Sequence, residues 1–341
     1  MRQLVLVLPD AHLAEATLAH ASAQLPLPGL AQLARFADSV PLAQHWRAWL
    51  ASWSARAELS VVAPAVIAAI CVPQVHAARP PSVWFAQPLH WVATLTRVHL
   101  PPEGLLRLDA QSRHGLTAAF NEAFGPQGYT LLSLGSGGLL LLAPAFGAVD
   151  STDPLQAVTA GDLGQALPQG AGAAALRRLG AEIEMWLHQH PLNQARERAG
   201  ALPIGALWLW GGGDWRVLPP APRRDGVRSF YSADPYVEGL ASLAGASHAA
   251  PPSGLGALAG STAPTGRICV LPPRLSADEA REPAAALAAL ERHWITPAVD
   301  AVARGHIGEL TIVTARRVST LRSHSRLKLW RRSREPLAAL R

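Results

Sequence analysis

Continuous apolar runs recur along the chain and predict buried strands. The run LVLVL occupies residues 4–8 and is followed by Pro9. Because a strand that is covered on both faces is apolar at successive positions, this run predicts a buried strand. Three later runs have the same character: ALWLW (206–210), ICVLPP (268–273) and ELTIVT (309–314). YTLLSL and LLLLAPAF flank the glycine-rich GSGG, a pattern that predicts a hairpin.

Helical spacing of apolar residues separates these strands. It predicts helices within 13–53 and over 115–124, 174–190 and 279–293. Short apolar segments between 61 and 108 favour strands and loops, and the Ala, Gly, Ser and Pro-rich stretch 244–266 favours a flexible surface loop. Strands that alternate with helices predict an α/β fold with a mostly parallel sheet flanked by helices.

The length of 341 residues exceeds what one hydrophobic core usually supports. We therefore predict a main α/β domain over 1–303, with an inserted smaller subdomain within 60–173. Hydrophobic residues make up 49% of the chain and charged residues 16%, which excludes a disordered chain. No apolar stretch approaches the ~18 residues of a transmembrane helix, so we expect no membrane span.

Positive charge is concentrated at the C-terminal end. Residues 304–341 hold ten basic and two acidic residues, a net charge of +8, whereas the first 303 residues carry −2. We predict a final strand and a short helix packed on the body through Leu327, Leu329 and Trp330. The alternative is that this basic segment binds nucleic acid phosphates.

Two cysteines, Cys71 and Cys269, lie far apart within apolar runs. They predict buried thiols in a reducing compartment, and hence a cytoplasmic protein.

The segment from Glu182 to Asp214 carries the densest set of candidate binding groups. Arg196 has a guanidinium fork that suits a carboxylate or phosphate. We also predict a loop at the glycine triplet, and the backbone N–H groups of such a loop can hold an anion. A simple tight turn at the triplet is the open alternative. The pair Glu184 and His188 shares one helix face, but a metal site needs three or more ligands. We predict a ligand pocket lined by His188, His190, Asn193, Arg196, Gly211, Gly212 and Gly213.

The motif HPLN, followed by Arg, Gly and Pro before LWLWGGG, resembles a known family. It is similar to the proteobacterial RpfE-type regulatory proteins, which in turn resemble archaeal-type cofactor-independent phosphoglycerate mutases. Weaker matches at PLHW, LLLLAP, SFYSADPYVEGLASLAGAS and LWRRSREPL extend the resemblance over most of the chain. It implies an alkaline-phosphatase-like fold, in which two metal ions held by Asp and His activate a Ser or Thr for phosphoryl transfer.

Asp10 matches the metal-binding Asp that follows the first strand in that superfamily. The stretch 270–294, where further ligands are expected, offers Asp278, Glu279 and Glu282, and His293 is its single histidine. Neither Thr17 nor Ser22 stands in an evident nucleophile context. We therefore predict a scaffold without the metal cluster, with Asp10 as the one remaining metal candidate.

Three functions follow from these observations. The first is a cytoplasmic regulatory or accessory protein without a cofactor, which binds a small anionic ligand or a protein partner. The alternative is an active metal-dependent phosphomutase or phosphatase that uses divalent ions at Asp10. A second alternative is a nucleic-acid-binding regulator that acts through the basic C-terminal segment.

Overall fold

The structure is a computed structural model, which describes residues 3–11, 25–135, 137–158, 163–220, 228–259, 266–272, 283–327 and 330–340. The chain divides into two compact units. Unit 1 comprises residues 1–60, 220–233 and 241–341, and unit 2 comprises 61–219 and 234–240.

The strands are β1 (Gln3–Leu8), β2 (Asp38–Pro41), β3 (Ser82–Leu89), β4 (Val92–Ala93), β5 (Val98–His99), β6 (Thr130–Ser133), β7 (Leu139–Ala143), β8 (Ala206–Asp214), β9 (Arg228–Tyr231), β10 (Ser247–Ala249), β11 (Arg267–Val270), β12 (Glu309–Thr314) and β13 (Arg317–Arg322).

The α-helices are α1 (Pro28–Phe36), α2 (Trp46–Trp53), α3 (Pro64–Ala69), α4 (Pro73–Ala78), α5 (Ala110–Phe124), α6 (Pro154–Ala157), α7 (Ala173–His188), α8 (Pro191–Arg198), α9 (Pro235–Leu243), α10 (Leu255–Ala259), α11 (Pro283–Leu290) and α12 (Thr296–Ala303). A π-helical turn, Glu291–Ile295, connects α11 and α12.

Unit 1 contains a sheet of seven described strands in the order β10-β9-β11-β1-β12-β13-β2. The pairs from β10 to β12 are all parallel, and β13 runs antiparallel to both of its neighbours. The LVLVL run occupies β1 at the centre of this sheet, which explains why it is apolar on both faces. The predicted mixed α/β fold with a mostly parallel sheet and flanking helices is confirmed.

Unit 2 contains a second sheet, antiparallel throughout, in the order β6-β7-β3-β8. The predicted hairpin is confirmed as the pair β6 and β7. A short hairpin, β4 and β5, follows β3 along the chain.

Each unit has its own apolar core. In unit 1, α1, α12 and the π-helical turn cover β1 and β12 through residues such as Leu30, Trp294, Val299 and Leu310. In unit 2, α5 and α7 pack on the antiparallel sheet. Their core includes Phe120, Leu179, Ile183, Leu207 and Leu209.

Three local predictions were wrong. The apolar segment at 61–69 forms helix α3 rather than a strand, because Pro64 occupies the first helical turn, where its missing N–H costs nothing. The stretch 244–266 contains β10 and α10 among its described residues and is not a continuous loop. Cys269 is buried as predicted, but Cys71 is only partly buried, and neither forms a disulfide.

The C-terminal segment packs differently from the prediction. Leu327 is 73% exposed and Trp330 is 78% exposed, so neither anchors the segment. Leu337 and Leu340 are buried instead, and the turn that carries them contacts α1. Leu329 lies outside the described residues.

Among the described residues, we find no helix that is both long and apolar enough to cross a lipid bilayer.

Candidate functional site

His190 and its neighbours form the corner between α7 and α8. The exposed residue His188 ends α7, and Pro191 begins α8. The Nδ1 atom of His190 accepts a hydrogen bond from the backbone nitrogen of Leu192 at 3.1 Å, so the imidazole caps α8. Burial lowers the pKa of His190, which favours the neutral ring that a cap acceptor requires.

Asn193 fastens this corner to the segment that enters β8. Its buried Nδ2 donates to the carbonyls of Leu187 at 2.9 Å and Ile204 at 2.8 Å, and its Oδ1 accepts from the backbone nitrogen of Ile204 at 2.7 Å. Arg196 supports the same loop, because its Nε donates to the carbonyl of Leu202 at 2.8 Å. The polar residues of HPLN thus satisfy backbone groups that no regular element pairs.

The glycine triplet does not form the predicted loop. Gly211, Gly212 and Gly213 belong to strand β8, where its register against β3 shifts around Trp84. Gly211 has a φ of +59°, as in a bulge that begins with a glycine in the left-handed region. A Cβ on Gly212 would lie 2.0 Å from the indole of Trp84. Close packing against an aromatic ring therefore explains Gly212, and the left-handed φ explains Gly211.

The predicted ligand-binding residues fall into two groups. The corner around Asn193 contacts the chain just before β8 begins, whereas the glycines form the other end of β8. Roughly 16 Å of extended strand separates Ala206 from Gly211. The structure therefore does not bring the two groups into one pocket, and a ligand at either group alone stays a prediction.

Asp10 lies two residues beyond β1, as the sequence predicts, and is buried at 1% exposure. Within the described residues, no group of three or more His, Cys, Asp or Glu side chains is placed to hold a metal ion. Asp278, Glu279 and Glu282, like Thr17 and Ser22, lie outside those residues. The described part of the chain thus does not supply the ligand set that a two-metal site requires.

Unit 2 contains a cavity of about 750 Å³, a size typical of small-molecule sites. It lies beside α7, the first half of β8 and the β4–β5 hairpin. Its lining combines apolar side chains with a few polar ones. It consists of Trp91, Thr94, Thr96, Arg97, Val98, Leu163, Gly164, Leu167, Pro168, Leu176, Arg177, Gly180, Glu184, Ala206, Leu207, Trp208 and Leu209.

Helix α7 presents three chemically different residues to this cavity. Arg177, Gly180 and Glu184 are spaced by three and four positions, so they share one helix face. A Cβ built on Gly180 meets no atom within 4 Å, and the helix face is therefore open there. The Nη1 atom of Arg177 donates to the carbonyl of Pro168 at 2.8 Å, which holds the guanidinium at one end of the face.

Glu184 is a half-buried acid at the other end. Burial raises the pKa of its carboxyl, and no charged neighbour offsets that effect. Among the described residues, no group donates a hydrogen bond to this carboxylate. A half-buried carboxyl in a cavity without a protein partner is a strong candidate for contact with a ligand.

The other lining residues include aromatic and hydroxyl side chains. Trp208 is buried, with its Nε1 fixed to the carbonyl of Thr152 at 2.9 Å. Trp91 lies against Gly205, where a Cβ would approach its indole to 3.5 Å. The tip of the β4–β5 hairpin adds Arg97 and Thr94, whose Oγ1 donates to the Arg97 carbonyl at 2.9 Å. The cavity can therefore hold an amphipathic molecule, with its apolar part against indole rings.

Two solved structures are similar to this chain. Cofactor-independent phosphoglycerate mutase from Thermoplasma acidophilum DSM 1728 is 12% identical, with 99% of this chain and 94% of that chain covered and a TM-score of 0.41. The PH0037 protein from Pyrococcus horikoshii is also 12% identical, with 99% and 91% covered and a TM-score of 0.48. No protein-family model and no curated protein matches the chain. The resemblance to RpfE-type regulators therefore stays a prediction.

One sequence signal for the cavity lies outside the motifs described above. Gly180 interrupts an otherwise strong helix, at a cost of about 1 kcal/mol relative to alanine. Glu184, on the same face, also lies one turn from His188, and that pairing by itself indicates a contact between helix side chains. A mid-helix glycine near an acid on the same face is consistent with an opening there, but the lining residues Trp91 and Thr94 come from a part of the chain more than eighty residues earlier.

Proposed function

We propose that this protein is a cytoplasmic regulatory or accessory protein that binds a small amphipathic anion in the unit 2 cavity, without metal-dependent catalysis. The observation that carries the proposal is the cavity itself. It offers indole and aliphatic surface together with the guanidinium groups of Arg97 and Arg177, which suit a carboxylate, sulfonate or phosphate.

The binding test uses 8-anilinonaphthalene-1-sulfonate, a fluorescent amphipathic anion, with the full chain. Gly180→Leu fills the open helix face without a main-chain clash, and we expect it to weaken dye binding at least tenfold. Gly115→Leu is the matched control, because Gly115 also lies within a helix, α5, with open space at its Cβ, but on an exposed face. Equal dye affinity in both variants would contradict the proposal.

A smaller cavity of about 570 Å³ beside Trp215 also carries two arginines, Arg79 and Arg216. The dye can bind there as well. For this reason, only the part of the fluorescence signal that depends on residue 180 measures the cavity of interest.

The absence of metal chemistry has its own test. We expect elemental analysis of the purified protein to find less than one divalent ion per chain, and Asp10→Asn to leave dye binding unchanged. The alternative function, an active phosphomutase or phosphatase, requires two tightly bound ions per chain and turnover that Asp10→Asn abolishes. That result would replace the present proposal.

The nucleic-acid alternative depends on the exposed basic segment. Trp330 is exposed beside the exposed residues Arg332 and Arg334, an arrangement that suits base stacking and phosphate contact. It predicts binding to single-stranded oligonucleotides that weakens steeply with salt and is lost in a triple variant, Trp330→Ala with Arg332→Gln and Arg334→Gln.

A further inference from the structure

The cavity-facing side of α7 carries one basic and one acidic residue. Arg177 and Glu184 are seven residues apart, so they lie almost in line along the helix and about 10 Å apart in rise. Gly180 stands between them and adds no side chain. A cation and an acid therefore lie at the two ends of an open strip.

The two charged ends differ in how far the protein satisfies them. The guanidinium of Arg177 makes one described bond, to the carbonyl of Pro168, and keeps further N–H donors for an anion. The carboxyl of Glu184 has no donor among the described residues. Arg177 and Glu184 do not pair with each other, because two helical turns separate them.

The rest of the lining of this cavity is largely apolar. Leu176 lies on α7 beside Arg177, and Leu163 and Leu167 line the cavity from the segment that precedes this helix. Trp208 contributes the edge of the sheet. A molecule that spans the strip thus exchanges water for aliphatic and aromatic contact along its middle.

We propose that the cavity takes a bipolar ligand about 10 Å long, with an anionic group at the Arg177 end, an apolar middle and a protonated amine at the Glu184 end. An ω-amino carboxylate is the simplest compound of this class. The inference rests on the proposed function, since it names the chemistry of the ligand for the same cavity.

A ligand with one charged end can satisfy only one of the two charged ends of the cavity. A simple fatty anion leaves the Glu184 carboxyl without a donor and in a partly dehydrated position, which is costly. A simple amine leaves the cations Arg177 and Arg97 without an anion. A bipolar molecule satisfies both ends at once, and it draws Glu184 into its ionised form.

The test compares three compounds by calorimetric titration of the full chain. The first is 8-aminooctanoate, whose charged ends lie about 10 Å apart when the chain is extended. The others are octanoate and octylamine, which each lack one end. We expect 8-aminooctanoate to bind at least tenfold more tightly than either single-headed compound.

Two variants remove one charged end each: Arg177→Met keeps an unbranched stem, and Glu184→Gln keeps the shape of the side chain. With Arg177→Met, 8-aminooctanoate should bind no better than octylamine, and with Glu184→Gln it should bind no better than octanoate. Arg178→Met and Glu182→Gln are the matched controls, because both residues lie on α7 but outside the cavity lining. Both controls should keep the tenfold preference.

The outcomes separate this inference from the proposed function. If the three compounds bind equally, or none binds while the dye remains sensitive to Gly180→Leu, the bipolar ligand is wrong and the amphipathic site stands. If none binds and the dye ignores Gly180→Leu, both proposals are wrong.

Discussion

Glu291 caps α1 through Gly29, a residue 262 positions earlier in the chain. Its Oε1 accepts a hydrogen bond from the backbone nitrogen of Gly29 at 2.5 Å, and its Oε2 accepts from Leu30 at 3.3 Å. Leu27, at the N-cap position of α1, offers no side-chain acceptor, so the distant carboxylate fills that role. The hydroxyl of Thr296 donates to the same carboxylate at 2.8 Å.

Removal of this cap should destabilise unit 1. Glu291→Ala leaves the N–H groups of Gly29 and Leu30 buried without an acceptor, and we expect a loss of about 2 kcal/mol in the free energy of unfolding. Glu291→Gln keeps one acceptor oxygen and should lose less. Urea unfolding of both variants measures the difference, and equal stability of wild type and Glu291→Ala would contradict the capping role.

The same residue predicts a pH dependence. Burial raises the pKa of Glu291 in the folded state, despite the opposing hydrogen bonds from Thr296, Gly29 and Leu30. An acid whose pKa is raised by folding contributes stability that is fully present below its unfolded pKa and is lost as the pH rises through the folded pKa. The advantage of wild type over Glu291→Gln should therefore shrink from pH 4 towards pH 8. A constant difference across this range would contradict the prediction.

Close packing at the β8 bulge gives a further prediction. Gly212→Ala places a Cβ 2.0 Å from the rigid indole of Trp84, so the bulge or the ring must move. We expect a loss of about 3 kcal/mol or more in the free energy of unfolding, from overpacking of the unit 2 core. Gly115→Ala is the control, because its Cβ meets open space, and it should be stabilising or neutral. Thermal unfolding compares the two.

The central strands could be predicted from sequence because their burial on both faces requires a continuous run of apolar residues, which is visible within the strand itself. LVLVL and ELTIVT are apolar at successive positions because both faces of β1 and β12 are covered. The glycine triplet shows the opposite case. Three glycines after a strand usually indicate a loop, but these continue β8, and Gly212 packs against Trp84, which lies over a hundred residues earlier in the chain.

The candidate site divides in the same way. The sequence shows which polar residues HPLN contains. Whether they contact a ligand or a backbone carbonyl depends on the path of the loop that follows α8. In the structure, Ile204 of that loop is hydrogen-bonded to the side chain of Asn193. The cavity was not predicted, because its lining combines α7 with the β4–β5 hairpin, and no local pattern joins the two.

Asn193 therefore has a testable structural role. Asn193→Ala removes the side-chain donor of the Leu187 and Ile204 carbonyls and the side-chain acceptor of the Ile204 N–H. We therefore expect a loss of about 3 kcal/mol in the free energy of unfolding. Gln194→Ala, at an exposed position on the same helix, should change stability by less than about 0.5 kcal/mol. If instead Asn193→Ala unfolded like wild type, its amide would be available for the ligand role that the motif predicted.

Arg331 shows how the basic C-terminal segment contributes to the fold. Its Nη1 donates to the carbonyls of Phe36 at 3.1 Å and Ala37 at 2.7 Å, which end α1, and its Nη2 pairs with Asp38 at 2.6 Å. We expect Arg331→Met to lose about 1–2 kcal/mol, because uncapped carbonyls and a lost charge–dipole attraction both act at this helix end. Arg332→Met, at an exposed position, is the control and should be near neutral in its effect on stability.

Most of the Arg331 effect should persist in 1 M salt, since salt screens the half-exposed pair with Asp38 more than the bonds to carbonyls. Complete loss of the effect in salt would show that the ion pair alone carries it.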